Sequence, residues 1–290
     1  MSKKDLILSI MHGYDYPFVE PFFESLKRVN YRGEVVVFVS DKVSKATRRK
    51  LATTDAKFID YHSAFPFIES YRESFKHISP SISINNYRFI LFLQFLTTHQ
   101  DEYERVMLTD IRDVIFQKEP FSAESGQGVS FFLEAPSQTF RHKFNYEWLS
   151  AATDVQTADA LADEPVSCAG ITIGSIKKII AYLAYIKSKL VNREKLEWGL
   201  DQGIHNSYLY VAKPDGLRVF SSDDPYVINL GAYQPYNVDQ GGQVVNSKGE
   251  PYAIVHQYDR SGKLFIAIKE KYIGGRIMQK LKRMYYLVMP

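Results

Sequence analysis

Residues 35–39 read Val-Val-Val-Phe-Val, five apolar side chains in a row with no polar alternation. A strand of that kind has to be covered on both faces, as in a parallel sheet held between helices; an antiparallel sheet with one wet face would alternate. The preceding chain agrees with this. Residues 6–11 form another apolar run, and between the two runs Phe18, Phe22, Leu26 and Val29 recur at helical spacing. Strand, helix, buried strand is the opening of a parallel α/β sheet.

The pattern continues along the chain. A charged helix is expected over 42–51 and a short strand over 57–61. Residues 84–98 are apolar on almost every face and predict a buried helix, with Arg88 the odd residue inside it. Strands are expected at 105–109, 129–133 and 169–173, and helices at 175–190 and 198–210. The polar stretch 137–165 predicts a long loop or small helices over a site. Residues 214–251, rich in Gly, Asp, Asn, Pro and Tyr, predict loop and short strands, followed by a strand at 253–255 that delivers His256. No repeat, low-complexity segment or linker divides the chain. The expected architecture is α/β, a mixed, mostly parallel sheet flanked by helices, in one domain over 1–265. A basic-then-apolar tail follows over 266–290.

Composition removes several classes. Apolar residues make up 45% and charged residues 24%, a globular balance and not a disordered one. Lys and Arg exceed Asp and Glu by only 36 to 33, too little for the basic stripe of a nucleic-acid-binding domain, so no nucleic-acid partner is expected. Cys168 is the one cysteine, which excludes an internal disulfide and a cysteine-built zinc site and fits a reducing compartment. The apolar run at 6–11 is too short for a signal peptide or a membrane span, and a cytoplasmic location is expected.

In open α/β sheets ligands sit beyond the carboxyl ends of the strands. Asp41, the pair Asp110 and Asp113, Glu134 and His256 all fall at such ends. Two close carboxylates joined by an imidazole from far along the chain make a hard-cation site with open coordination positions, suited to Mg²⁺ or Mn²⁺. Each residue also has a plain structural role open to it. Strand-end carboxylates cap turns, Arg112 pairs with either neighbouring Asp, and a histidine after a strand packs in the core or on the surface.

The segment Arg105-Val106-Met107-Leu108-Thr109-Asp110-Ile111-Arg112-Asp113-Val114-Ile115-Phe116-Gln117 resembles the strand and Asp motif of GT-A nucleotide-diphospho-sugar glycosyltransferases. It is similar to the branch that carries Thr-Asp-x-Arg-Asp-Val-x-Phe-Gln. Residues 6–15 resemble the first strand and the loop beside the nucleotide base, which brings in Asp15. Ser167-Cys168-Ala169-Gly170-Ile171-Thr172-Ile173-Gly174 resembles the strand near the sugar, Asp201-Gln202-Gly203 the Asp-Gln after it, and His256-Gln257 the metal-ligand histidine. The resemblance runs from about residue 5 to 260; the first string is the specific one, and the others gain force from their order. One departure stands out: the usual motif is Asp-x-Asp, whereas two residues separate Asp110 from Asp113. Asp113, directly before Val114-Ile115, corresponds to the metal-binding second Asp, and Asp110 is left to hold the ribose or to reach the metal through water.

The resemblance implies transfer of a sugar from a nucleotide-sugar donor to a glycan or lipid-linked glycan acceptor with Mn²⁺ or Mg²⁺. Its metal ligands would be Asp110, Asp113 and His256. Donor contacts would come from Asp15, Arg88, Asp110, Arg112, Arg260 and Lys263. At the reacting centre, Asp201 or Glu134 would act as base in an inverting enzyme, and Gln202 would face the anomeric carbon in a retaining one. Trp198 and His205 flank Asp201 and are candidates for the acceptor side. The tail, with Arg276, Lys280, Lys282 and Arg283 ahead of the apolar residues 284–289, either closes the core or makes a weak, salt-sensitive contact with the inner face of a membrane. A sugar-1-phosphate nucleotidyltransferase is disfavoured by the single glycine in His12-Gly13-Tyr14-Asp15. The alternative from another class is a non-catalytic carbohydrate-binding or scaffolding protein that keeps the fold.

Overall fold

The first apolar run becomes β1 (Lys4–Met11), and α1 (Tyr16–Arg28) returns the chain to β2 (Glu34–Val39), the second run. The computed structural model describes residues 3–61, 80–121, 128–190, 198–231 and 234–274. Pro17 stands in the first turn of α1, where its missing N–H costs nothing, and Lys27 and Arg28 stand in the last turn, where they suit the helix dipole. Next come α2 (Lys45–Leu51), β3 (Lys57–Asp60), α3 (Pro80–Thr98), β4 (Tyr103–Thr109), β5 (Val114–Phe116) and β6 (Val129–Phe132). The second half holds α4 (Lys143–Ala152), α5 (Val155–Ala160), β7 (Ile171–Ser175), α6 (Ile176–Leu190), α7 (Leu200–Ser207), β8 (Leu217–Phe220), β9 (Val227–Asn229), β10 (Asn237–Val238), β11 (Val244–Val245), β12 (Ile254–His256) and α8 (Gly262–Ile273).

Seven strands form the main sheet in the order β3-β2-β1-β4-β7-β6-β8. All run parallel except β7, which is antiparallel to both β4 and β6. This is a single Rossmann-like α/β domain. Alternate side chains leave the sheet on opposite faces. Leu6, Leu8, Val36 and Phe38 join α3, α6 and α7 in one core, while Ile7, Val37 and Val39 pack on α1 in the other. Continuous apolar strands therefore follow from two covered faces.

Three features of these elements bear on the site. Residues 143–160 are two short helices, as one of the two forms expected of that stretch; their sequence looks irregular because α4 buries only one face, with Leu149 and Ala152 inside. The helix expected at 198–210 starts after Gly199, whose φ of +77° is left-handed. A small second sheet, β5-β12-β9, is built from strands of three residues, too short to show a period in sequence. Among the described residues no helix is long and apolar enough to cross a membrane. The basic residues of the tail, 276–283, and its apolar end lie outside the described residues. Helix α8 docks on α1, where the Lys269 ammonium donates to Pro17 O (2.6 Å) and Phe18 O (3.3 Å).

Candidate functional site

The carboxyl edge of the main sheet opens into a cleft of about 710 Å³, within the roughly 300–1,000 Å³ of small-molecule sites. Its floor is set by the two sheets meeting. Beyond the end of β4, Asp110 N donates to Gly170 O (2.9 Å), which carries the β4–β7 pairing one residue further. The turn buries Ile111 and brings Asp113 to the start of β5. In the small sheet His256 sits opposite Val114, and Gln257 N donates to Asp113 O (2.8 Å). Residues 143 positions apart thus meet. His256 Nε2 lies 3.5 Å from Asp110 Oδ2 and 3.9 Å from Asp113 Oδ1.

The direction in which His256 faces can be derived. Asn229, its β9 neighbour, donates through Nδ2 to Phe132 O and Leu133 O, both at 3.2 Å. Those two carbonyls fix the amide with Oδ1 toward His256 Nδ1, at 2.8 Å. An amide oxygen only accepts, so Nδ1 carries the hydrogen and Nε2 is the nitrogen left for a ligand. Gly170 completes the seat, because a Cβ there would come within 2.3 Å of His256 Cε1 and 2.9 Å of Asp110 Oδ2.

One donor atom from each of Asp110, Asp113 and His256 lies within 4.8 Å of the others. Six-coordinate ligands about 2.1 Å from a cation stand about 3 Å apart when adjacent and about 4.2 Å when opposite. The 3.5 and 3.9 Å separations from His256 lie in that range, so the three residues could hold such an ion and leave positions for oxygens of a substrate. An imidazole nitrogen among carboxylates favours Mn²⁺ over Mg²⁺.

The electrostatics are those of an acidic nest. Burial would raise the Asp110 pKa, but Arg88 and His256 outweigh it and hold the carboxyl well below the usual range. Burial raises Asp113, and His256 offsets this only in part. Burial would also depress His256. With Cys168 kept as a neutral thiol by its own burial, Asp110 and Asp113 are what lift the imidazole well above its ordinary value. A positive charge is needed at Nε2, whether a proton or a metal ion supplies it.

Arg88 does not reach the surface. Its guanidinium is paired with Asp110 and, at 3.3 Å, with Asp201, whose carboxyl is raised by burial against the pull of that arginine. At the mouth, Arg112 pairs with Asp259 (2.8 Å) over the Tyr14 ring, and Arg260 lines the cleft with Asp259 at 3.7 Å. Glu134 lines the cleft beside Cys168, its pKa pushed up to about 7 by burial. Gln202 also lines it, but its amide is tied at both ends: Ala169 N donates to its Oε1 (2.8 Å) and its Nε2 donates to Ser167 O (2.7 Å).

The cleft therefore collects Arg88, Asp110, Arg112, Asp113, Glu134, Asp201, Gln202 and Arg260, with His256 buried in its floor. Three expected residues fall elsewhere. Asp15 is exposed at the N-cap position of α1, where its side chain accepts from the Thr47 hydroxyl (3.2 Å), Lys263 is exposed on the first turn of α8, and Asp41 is exposed past β2. His205 corrects the acceptor-side expectation: it is fully buried, with Nδ1 on the Tyr182 hydroxyl (2.7 Å) and Nε2 on the Ser167 hydroxyl (3.0 Å). Trp198, by contrast, is at the cleft mouth. Sequence reasoning missed Asn229 and Trp148. The signal for Asn229 is its place at the end of Val227-Ile228-Asn229, a short apolar run in a polar stretch; Trp148 has none beyond its spacing of four from Phe144.

Set against known proteins, the chain matches no family model and no curated protein.

Proposed function

We propose that this chain is a divalent-cation-dependent glycosyltransferase of GT-A type that moves a sugar from a nucleoside-diphosphate donor to a hydroxyl of a glycan or lipid-linked glycan. One observation carries the reading: Asp110, Asp113 and the ligand nitrogen of His256 converge on the floor of a cleft at the carboxyl edge of the sheet. A Mn²⁺ or Mg²⁺ ion held there would neutralise the charge that develops on a departing diphosphate. The protein's own work is arrangement. Asn229 and Gly170 fix the imidazole, and Arg88 orients Asp110 and Asp201 together. Arg112 and Arg260 are the cations at the mouth, where a diphosphate would compete with Asp259 for them. Among the groups for the acceptor proton, Gln202 is spent on the backbone of 167–169 and Asp201 on Arg88. Glu134 makes no ion pair among the described residues and faces the cleft, so this reading prefers it as the base. Action in the cytoplasm, at the inner face of a membrane, goes with an envelope-type acceptor.

Thermal melts with Mn²⁺ and a panel of nucleoside diphosphates test this. Metal and nucleotide should raise the melting temperature together by more than their separate effects. Asp113→Ala and His256→Ala should lose that joint increment and lower metal-dependent release of sugar from the donor by about 10³-fold or more, or about 4 kcal/mol. A His256→Ala protein with the parent's full metal response would sink the assignment. Joint binding with no turnover on any donor and acceptor would leave a carbohydrate-binding protein on the same fold.

A further inference from the structure

Phe144 and Trp148 stand four residues apart on α4, so they share a face, and their rings lie nearly parallel at 23° with centroids 6.1 Å apart. Trp198, just ahead of α7, meets both rings edge-on, at 78° and 4.7 Å to Trp148 and at 87° and 6.0 Å to Phe144. Two nearly parallel rings and a third upright against both make an aromatic corner. The corner is braced from beneath. Gly199 has φ +77°, and a Cβ at that position would lie 2.1 Å from Trp148 Cε2, so the backbone passes directly against the indole and only glycine fits.

Such rings would normally be put to use in a core. Here Phe144 is 48% and Trp198 56% exposed, in one contiguous cluster lining the cleft that holds Asp110 and Asp201. A clustered, exposed aromatic surface inside a pocket marks a binding surface, whereas scattered single residues would not.

We propose that Phe144, Trp148 and Trp198 form the acceptor platform and that it takes a pyranose ring, seated by its C–H face; this rests on the transfer reading given above. The neighbours select that class. Gln138 and His142 line the same cleft as the aromatic corner and bring hydrogen-bonding side chains to it. A pyranoside has the matching make-up, with a flat face of polarised C–H bonds for the electron-rich ring faces and hydroxyls around its edge for the polar groups. An acyl chain would leave those polar groups without partners.

The chain has two tryptophans, and both are in the corner, so tryptophan emission reports on the platform alone. The full-length protein would be titrated with maltose, cellobiose, lactose and chitobiose in the presence of Mn²⁺ and UDP. At least one should shift the emission saturably. Trp198→Ala should weaken that disaccharide about tenfold, and Trp198→Phe, which keeps a ring, should recover most of the affinity. Trp198 is half exposed, so both variants should melt near the parent. No emission change with any of the four sugars overturns the platform, as does a Trp198→Ala protein that binds as tightly as the parent. The joint melting response to Mn²⁺ and nucleoside diphosphate separates the two claims. If it persists without sugar binding, the platform fails and the transfer reading stands; if sugar binds without it, the transfer reading fails and the platform stands as a carbohydrate site.

Discussion

Two buried histidines meet adjacent residues of one extended segment and are treated in opposite ways. Ser167 turns toward His205, and Cys168 turns toward His256 at 3.7 Å from Nδ1. His205 has an aromatic shell, with the Phe131 ring 4.4 Å away, and a neutral hydroxyl on each nitrogen. His256 has a neutral partner on Nδ1 only, and two carboxylates beside Nε2. Both side chains are almost fully removed from water, so burial does not distinguish them. The partners do. An imidazole satisfied on both sides by neutral groups has no bonding left to offer, whereas one facing two carboxylates requires a cation.

The largest effect expected from this contrast is on the His205 side. Burial, helped by the charge of Arg88, lowers its pKa from 6.5 to about 3. Between those values the unfolded chain takes up a proton that the folded protein refuses. Stability is therefore whole above pH 6.5 and is lost as pH falls toward 3, by up to roughly 5 kcal/mol from this one group. Urea unfolding at pH 7 and pH 4 should show the drop in the parent, and His205→Gln should flatten it. An equally steep drop in the variant would mean that His205 is not the neutral core histidine it is taken to be.

On the charged side the corresponding lever is Arg88. Arg88→Met removes the counter-charge of Asp110 and Asp201 while roughly keeping volume. Breaking a buried pair from one end costs roughly 3–5 kcal/mol, because the remaining charge is stranded. Asp201→Asn added to Arg88→Met should recover part of the loss, and the double-mutant cycle measured by chemical denaturation gives the coupling. A cycle that closes with no coupling would show that Arg88 is not holding Asp201. The link between the two pockets is open to the same variant, since the arginine's charge also bears on His205.

Much of this was legible in sequence for a definite reason. The apolar runs at 6–11 and 35–39 are long enough to declare buried strands, and the rule that ligands gather at strand ends picks out Asp110, Asp113, Glu134 and His256 together with Asp41, which falls outside the cleft. What stayed hidden depends on contacts between distant segments. Arg88 finds its two partners 22 and 113 positions away. Nothing near His205 in sequence announces Tyr182 and Ser167, so its helix position serves a cleft or a core equally well. The same holds for Trp198, whose exposure is set by Trp148 and Phe144 on another helix. The strand that carries Asn229 is three residues long and has no readable period.

The smallest effect, and the sharpest test of the contrast, concerns the neutral partner on one nitrogen of each histidine, Asn229 for His256 and Ser167 for His205. If Asn229 only satisfies a buried nitrogen, as the Ser167 hydroxyl does for His205 within a closed core, then Asn229→Ala costs stability and nothing else. If it selects the nitrogen that faces Asp110 and Asp113, the same change frees the ring to rotate and to carry its hydrogen on either nitrogen. Removing such an outer partner of a ligating histidine typically weakens metal binding by about 10–100-fold. Calorimetric titration with Mn²⁺ gives the affinity, and a melt of the metal-free protein gives the stability, which will fall in either case because Phe132 O and Leu133 O also lose a donor. The deciding quantity is the Mn²⁺ affinity at a temperature where both proteins are folded. A loss there, with Ser167→Ala in the other pocket leaving Mn²⁺ binding at the parent's level, separates a ligand histidine from a packed one.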